Sequence, residues 1–258
     1  MKAIVYLGVD QTGAIDRVGK PKPLPACALQ GSKADFFYLD RFHPDEIRGR
    51  YPDAECQLII DCVLGLPDEL GCPLKWREVI SQTLEWQGFG RKVAADFFHS
   101  LREERVATQI PRRAIEIHLG ANSVFQEHPF QKNIQTGTFR FWKEIASAGS
   151  GFRAPWVEGF GTKAQRLKYL PIFEGYPTLV WKKLLKSSSR NPENLGLLLK
   201  AAKFQVRWTP KHQALVQKDP NLADAFVLAL AGSLWLSKEA QRKTNPEGWI
   251  LGGDRESE

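Results

Sequence analysis

Cysteine is scarce in this 258-residue chain: Cys27, Cys56, Cys62 and Cys72 are all there is. None forms a CxxC pair and each lies in or beside an apolar stretch, so reduced core thiols are expected in place of disulfides or a zinc site. Histidine offers no alternative, because His43, His99, His118, His128 and His212 show no ligand spacing. No low-complexity tract is present and no apolar run approaches the roughly 20 residues that span a bilayer. MKAIVYLGVDQTG meets a charge after too few apolar residues for a signal peptide, and the expectation is a cytoplasmic protein without a membrane segment. Gly161-Thr162-Lys163 reverses the Lys-Ser/Thr order of a phosphate loop, which removes a Walker-type site from consideration.

What is present is enough apolar residue, 43%, to build a substantial core in one large domain. The chain is organised around Ala3 to Gly13. Ile4, Val5, Tyr6, Leu7 and Val9 form strands readily and do not alternate, as befits a central strand covered on both faces, and Asp10 stands at its carboxyl end. Gln11-Thr12-Gly13 then turns the chain. Pro25 to Gln30 and Ala34 to Phe42 are two further strands at hairpin distance, expected to pair antiparallel with the first. His43-Pro44 opens a short helix with acids in its first turn. Leu58 to Leu66 is a second strong strand, with Asp61 in its middle.

Trp76 to Arg102 has helical periodicity broken at Gly88 and Gly90, giving one kinked helix or two consecutive ones. Ala114 to Leu119 is helix or strand, Phe139 to Ala148 is helical, and residues 103–164 as a whole are the candidate insertion. Leu170 to Trp181 is a strand candidate carrying Glu174, leaving through Gly175 and Pro177 into a basic helix from Leu179 to Lys186. Asp219-Pro220 caps a C-terminal helix over 219–238. In it Leu222, Phe226, Leu230 and Leu234 form a stripe, and Ala223, Ala225, Ala229 and Ala231 allow close approach to a sheet.

Charge is distributed unevenly. Residues 140–218 hold 15 Lys and Arg against 4 Asp and Glu, an excess larger than the whole chain's net +7, so the rest of the chain is slightly acidic. The same segment carries Phe141, Trp142, Phe152, Trp156, Phe160, Tyr169, Tyr176, Trp181, Phe204 and Trp208. Basic residues interleaved with aromatics suit a phosphate-backbone footprint with stacking surfaces; the plainer alternative is solvated helix faces over ordinary core aromatics. Lys163, Arg166, Lys168, Lys182, Lys183 and Lys186 are the candidate nucleic-acid contacts.

Four carboxylates remain: Asp10, Asp61, Glu174 and Asp224. Taken singly, each has a local explanation: an Asx turn at Asp10, a buried Arg for Asp61, a solvated loop acid at Glu174, the helix dipole for Asp224. Taken together they fit convergence at one sheet edge. Two carboxylates about 4 Å apart repel by roughly 4 kcal/mol at an effective dielectric near 20, so such a cluster persists only by sharing protons or binding cations. Ligands that are all oxygen favour magnesium or manganese, and two such ions catalyse phosphodiester hydrolysis without a side-chain nucleophile.

The succession GVDQTG, IIDCVLGLP, FEGYP, ADAFVLALAG and EGWI resembles domain-of-unknown-function family 429, a group of predicted nucleases of the ribonuclease H-like superfamily. The resemblance runs from about Lys2 to Leu251 and is loosest over 103–164; ADAFVLALA is also similar to the last helix of Holliday-junction resolvases. It implies one ribonuclease H-like domain over 1–258. Its mixed five-stranded sheet would have the first three strands antiparallel, helices on both faces and the mid-chain insertion. It further implies two Mg or Mn ions, with Asp10 bridging both, Asp61 binding one, Asp224 completing the site, and Glu174 as a further ligand or water-orienting base. Ribonuclease H proper places a Glu on its first helix, where this sequence offers Asp45 and Glu46. The competing readings are a non-catalytic nucleic-acid-binding or scaffold protein on the same fold, and an actin-like phosphotransferase, which needs a second Gly-rich phosphate turn and an adenosine motif that the sequence does not supply.

Overall fold

A computed structural model of the chain describes residues 2–11, 20–67, 70, 76–103, 110–126, 133–166, 168–187, 190–239, 242–245 and 247–253. In chain order the strands are β1 (Ala3–Val9), β2 (Leu24–Gln30), β3 (Lys33–Leu39), β4 (Ala54–Ile60), β5 (Phe152–Arg153) and β6 (Leu170–Glu174). The helices begin with α1 (Pro44–Arg50), α2 (Trp76–Gln82), α3 (Arg91–Glu103), α4 (Ala114–Leu119), α5 (Asn133–Ser147), α6 (Pro155–Glu158) and α7 (Lys163–Arg166). They continue with α8 (Pro177–Leu185), α9 (Leu195–Ala201), α10 (Pro210–Lys218), α11 (Pro220–Ala231) and α12 (Ser237–Glu239).

The sheet is mixed, in the order β3-β2-β1-β4-β6-β5. β1, β2 and β3 pair antiparallel as the short spacings require, whereas β4 and β6 add in parallel. The expected count of five is corrected to six by β5, a two-residue strand parallel to β6 that follows the 3₁₀ turn at Gly149–Gly151. So short a strand carries no periodicity of its own.

Both faces of the sheet are covered, and the side-chain period of two divides the core accordingly. Val5, Leu7 and Val9 of β1 and Leu58 and Ile60 of β4 point to the face packed by α2, α3 and α5, with Phe97, Phe98, Phe139 and Trp142. Tyr6 and Ile59 point to the other face, packed by α8, α9 and α11 with Trp181, Leu198 and Phe226. The region expected to be an insertion thus contributes α5 to the first of these cores, where Phe139, Phe141, Trp142 and Ile145 are all buried. Its Ala114 to Leu119 segment is helix, ended by Gly120 in the left-handed conformation.

Two expected boundaries shift, that of the strand carrying Asp61 and that of Leu170 to Trp181, which is strand only to Glu174 and helix from Pro177. The glycine break and the end of the first strand fall as expected. Trp76 to Arg102 resolves into two helices separated at the glycines. The first strand ends at Val9, and of its expected turn Thr12 and Gly13 lie outside the described residues. β4 runs from Ala54 to Ile60, so Asp61 follows the strand and is not in its middle. The physical reason is that mid-strand placement would seal a carboxylate between two hydrophobic layers, while at the strand end it opens into a cavity.

Asp219 caps α11 as expected, its Oδ1 accepting the Asn221 amide at 3.0 Å. The helical run from Pro220 to Glu239, unlike the expectation of no such stretch, is long and apolar enough to cross a membrane by length and composition, and 67% of its most apolar window is buried inside the protein. It owes this to alanines packed on the sheet. A Cβ placed on Gly8 of β1 would lie 1.9 Å from Ala225 O and 2.6 Å from Ala229 N, which makes this a backbone-to-backbone approach only glycine permits. The run passes through one π turn at Gly232–Leu236, where Gly232 sits against Ile59 and Tyr6.

Gly8→Ala is therefore expected to lower unfolding free energy by about 3 kcal/mol or to abolish folding. Gly49→Ala in α1, with open space around the added methyl, is expected to gain about 0.5–1 kcal/mol. Urea titrations of the two variants against the parent check both; equal effects would mean that the Gly8 contact is not close.

Candidate functional site

β1 and β4 lie side by side and parallel, with Val9 opposite Ile60. Each strand is followed immediately by an aspartate, and the ladder persists one step further, since the Asp61 amide donates to Val9 O at 3.1 Å and the Asp10 amide to Pro25 O at 3.1 Å. Asp10 and Asp61 are consequently neighbours at the same sheet edge. Asp224 comes from the first half of α11, brought in by the close packing on Gly8, and Glu174 is the last residue of β6, next to β4. All four line one cavity of about 240 Å³, together with Gln11, Thr138, Asn122, Tyr176, Arg113 and Arg190.

The electrostatics are those of crowded like charges. Burial, then the charges of Asp61 and Asp224, push the Asp10 carboxyl well above its usual range. Burial, then Asp224, push Asp61 up to about 7, and burial raises Asp224 to about 6. A side-chain hydrogen bond links Asp10 and Asp61, and two buried carboxyls so close together share a proton between them. Arg190 supplies the opposing charge: its Nη1 meets Asp224 Oδ2 at 2.9 Å, and it lowers the pKa of all three aspartates.

Glu174 has a different environment. Arg113, 1% exposed, grips it with Nη1 on Oε2 at 2.7 Å and Nη2 on Oε1 at 2.6 Å, and the Leu64 amide donates to Oε2 at 2.7 Å. Arg113 also bonds Glu116 Oε1 at 2.8 Å and the carbonyls of Leu64 and Glu247. The charges of Glu174 and Glu116 outweigh burial and hold its guanidinium well above its ordinary pKa. Both Glu174 oxygens are thus occupied by a fixed cation, and this acid anchors the cavity wall. Neither acid of α1 is close by: Glu46 accepts the Asp40 and Arg41 amides and Asp45 is exposed.

Among the described residues no three His, Cys, Asp or Glu side chains are already gathered around one point as a bound metal ion requires. The donor chemistry nevertheless fits a hard divalent cation: three carboxylates at one edge, held apart from full ionisation by a proton and an arginine, which are the charges such an ion replaces. Gln11 and Thr138 also line the cavity, although their side-chain oxygens are themselves buried, Gln11 Oε1 against Gly137 of α5 and Thr138 beside Cys62. The Trp181 indole N–H has no acceptor at hydrogen-bond distance, although it is near enough to lower the Asp224 pKa.

Of the expected nucleic-acid contacts, Arg166, Lys168, Lys182 and Lys186 are exposed, Lys183 lies 5.4 Å over the Trp235 ring, and the Lys163 side chain lies outside what is described. The expected stacking surface is largely corrected. Phe141, Trp142, Phe152, Trp156, Tyr169 and Trp181 are buried in the core, and Tyr176 alone of the ten lines the cavity. The cysteine expectation holds for Cys27, Cys56 and Cys62, which are free and buried, while Cys72 lies outside the described residues.

Arg113, Arg190, Thr138 and Gln11 escaped the sequence reading. Arg113 and Glu116 are three apart on α4, a usable spacing for an ion pair, but nothing in the chain marks Arg190. No protein-family model matches the chain, and neither a curated protein nor a solved structure is significantly similar to it.

Because Asp61 and Asp224 titrate above the ordinary Asp value of about 3.9, their contribution to stability is full below about pH 4 and is lost as pH rises through 6 and 7. The urea midpoint of the metal-free protein should fall between pH 5 and pH 8, and Asp61→Asn should reduce that fall; parallel pH profiles would contradict it. Arg113→Met, which strands two buried carboxylates, should cost about 3–5 kcal/mol in the same measurement.

Proposed function

We propose that this protein is a metal-dependent nuclease of the ribonuclease H-like class, hydrolysing phosphodiester bonds at the carboxyl ends of β1 and β4. The observation that carries the reading is the meeting of Asp10, Asp61 and Asp224, from two adjacent parallel strands and one helix, in a single polar cavity. Asp10, Asp61 and Asp224 would hold the ions. Two Mg or Mn ions supply activation of a water and stabilisation of the leaving oxygen when bound.

The chain's own residues have distinct parts in this reading. Three aspartates concentrate negative charge, which by itself repels a phosphate; the cavity therefore accepts a phosphodiester only with cations present. Arg113 keeps Glu174 and the strand ends in place through its fixed bonds. Gln11 and Thr138 add polar side chains to the cavity lining. Tyr176 and Thr178 at the start of α8 line the cavity, and the same helix ends in Lys182 and Lys183 with Lys186 just beyond. These lysines, with Arg166 and Lys168, are the basic surface for the nucleic-acid backbone in this reading.

A non-catalytic nucleic-acid-binding or scaffold protein on the same fold is the second reading. It is favoured by the pairing of Asp224 with Arg190 and by the lack, among the described residues, of carboxylates already gathered for an ion.

Manganese separates the two. Saturating Mn²⁺ is expected to raise the melting temperature of the parent by about 5 °C and to leave Asp10→Asn unmoved, since an ion bound only by the folded state stabilises it by mass action. Cleavage of labelled oligonucleotides should depend on the same ion and be lost in Asp10→Asn. Equal melting shifts in the two proteins would remove the shared site. Binding of nucleic acid should weaken steeply between 50 and 200 mM salt on the counterion-release scale, and replacing Lys182, Lys183 and Lys186 with Ala should flatten that dependence in fluorescence anisotropy.

A further inference from the structure

Two arginines reach the cavity, and they are held very differently. Arg113 is 1% exposed and its guanidinium is bonded to two carboxylates and two backbone carbonyls. The Arg190 side chain is 48% exposed, and its ion pair is a single contact from Nη1 to Asp224 Oδ2 at 2.9 Å. The guanidinium end of this pair is open to solvent and is held by one contact, so a divalent competitor for Asp224 can displace it. What it neutralises is also what a divalent ion would need, because Asp224 is one of the three aspartates that converge on the cavity.

We propose that Arg190 is a displaceable counter-cation: it occupies Asp224 in the free protein, yields that carboxylate to a divalent ion, and then binds a phosphate group of the incoming strand. The inference rests on the nuclease reading and assigns a residue outside the acidic set to it. A guanidinium suits the second task because its planar fork matches two phosphate oxygens and it cannot lose its proton. Its position suits it as well. Arg190 lines the cavity while remaining half in solvent, so release from Asp224 leaves it beside the point of entry and not buried elsewhere. Without such an exchange the cavity, lined by Asp10, Asp61, Asp224, Glu174 and Glu116 against Arg113 and Arg190, stays net acidic and repels the ligand.

The exchange makes ion and phosphate binding reciprocal: a strand that engages Arg190 frees Asp224 and tightens the ion, and the ion tightens the strand by the same factor. Calorimetric titration of Mn²⁺, with and without a saturating single-stranded phosphorothioate oligonucleotide, reads this directly in the parent, Arg190→Gln and Arg190→Lys. Arg190→Gln should bind Mn²⁺ alone about tenfold tighter, as removal of a charge-assisted competitor implies. It should also bind the oligonucleotide about tenfold more weakly in Mn²⁺ and lose the mutual strengthening. Arg190→Lys, which keeps the charge and loses the fork, should retain the competition with Mn²⁺ and weaken the oligonucleotide. Unchanged or weaker Mn²⁺ binding in Arg190→Gln, with strengthening as in the parent, overturns the inference and leaves the nuclease reading standing. Absence of Mn²⁺ binding in the parent and both variants overturns the nuclease reading and this inference together. Should Arg190→Gln fail to fold, loss of competition in Arg190→Lys, seen as tighter Mn²⁺ with parental oligonucleotide affinity, also overturns it.

Discussion

The contact between Gly8 and the backbone of α11 is the constraint from which the rest follows. With no side chain on Gly8, Ala225 O and Ala229 N come within the space a methyl would fill, and the helix lies almost directly on β1. Asp224, adjacent to Ala225 in sequence, is carried by that contact to the edge where β1 and β4 end. A helix held off by one carbon would carry the third acid away from the other two.

The second constraint is electrostatic and arises from the first. Three aspartates brought together where water is largely excluded cannot all remain ionised, and each acquires a raised pKa. A proton between Asp10 and Asp61 and the guanidinium of Arg190 make the arrangement tolerable. A few ångströms away Arg113 solves the same problem permanently, by satisfying Glu174 and Glu116 at once. The cavity thus combines a rigid, fully bonded wall with a floor whose charges are only provisionally met, a contrast that favours structure in the wall and ligand exchange at the floor.

How much of this the sequence made legible follows from the range of each interaction. Hydrophobic patterning is local, and it located β1, β2, β3 and α11 within a few residues and the start of β6, whose expected run to Trp181 stops at Glu174. The Asp219-Pro220 cap was equally plain, since its partner amide at Asn221 is two residues away. β5 was missed because two residues have no period. The aromatics of 140–218 were read as a stacking surface, yet most are core, because burial depends on which layer a helix joins. Glu174 looked like its fellow acids, but its partner Arg113 lies 61 residues earlier in a stretch without clear pattern.

By itself the sequence determined the unbroken apolar runs that build a sheet covered on both faces, the antiparallel start of that sheet, the small-residue helix, and Asp10 at the end of the first strand, since all of these are written in neighbouring residues. Only the tertiary structure decided that Asp61 follows its strand, that Glu174 belongs to Arg113 and not to the acidic floor, and that Arg190 stands on Asp224. Those outcomes depend on Coulomb and hydrogen-bond partners brought together from distant parts of the chain, and the energy of such a pair is set by burial and distance after folding, which no local pattern encodes.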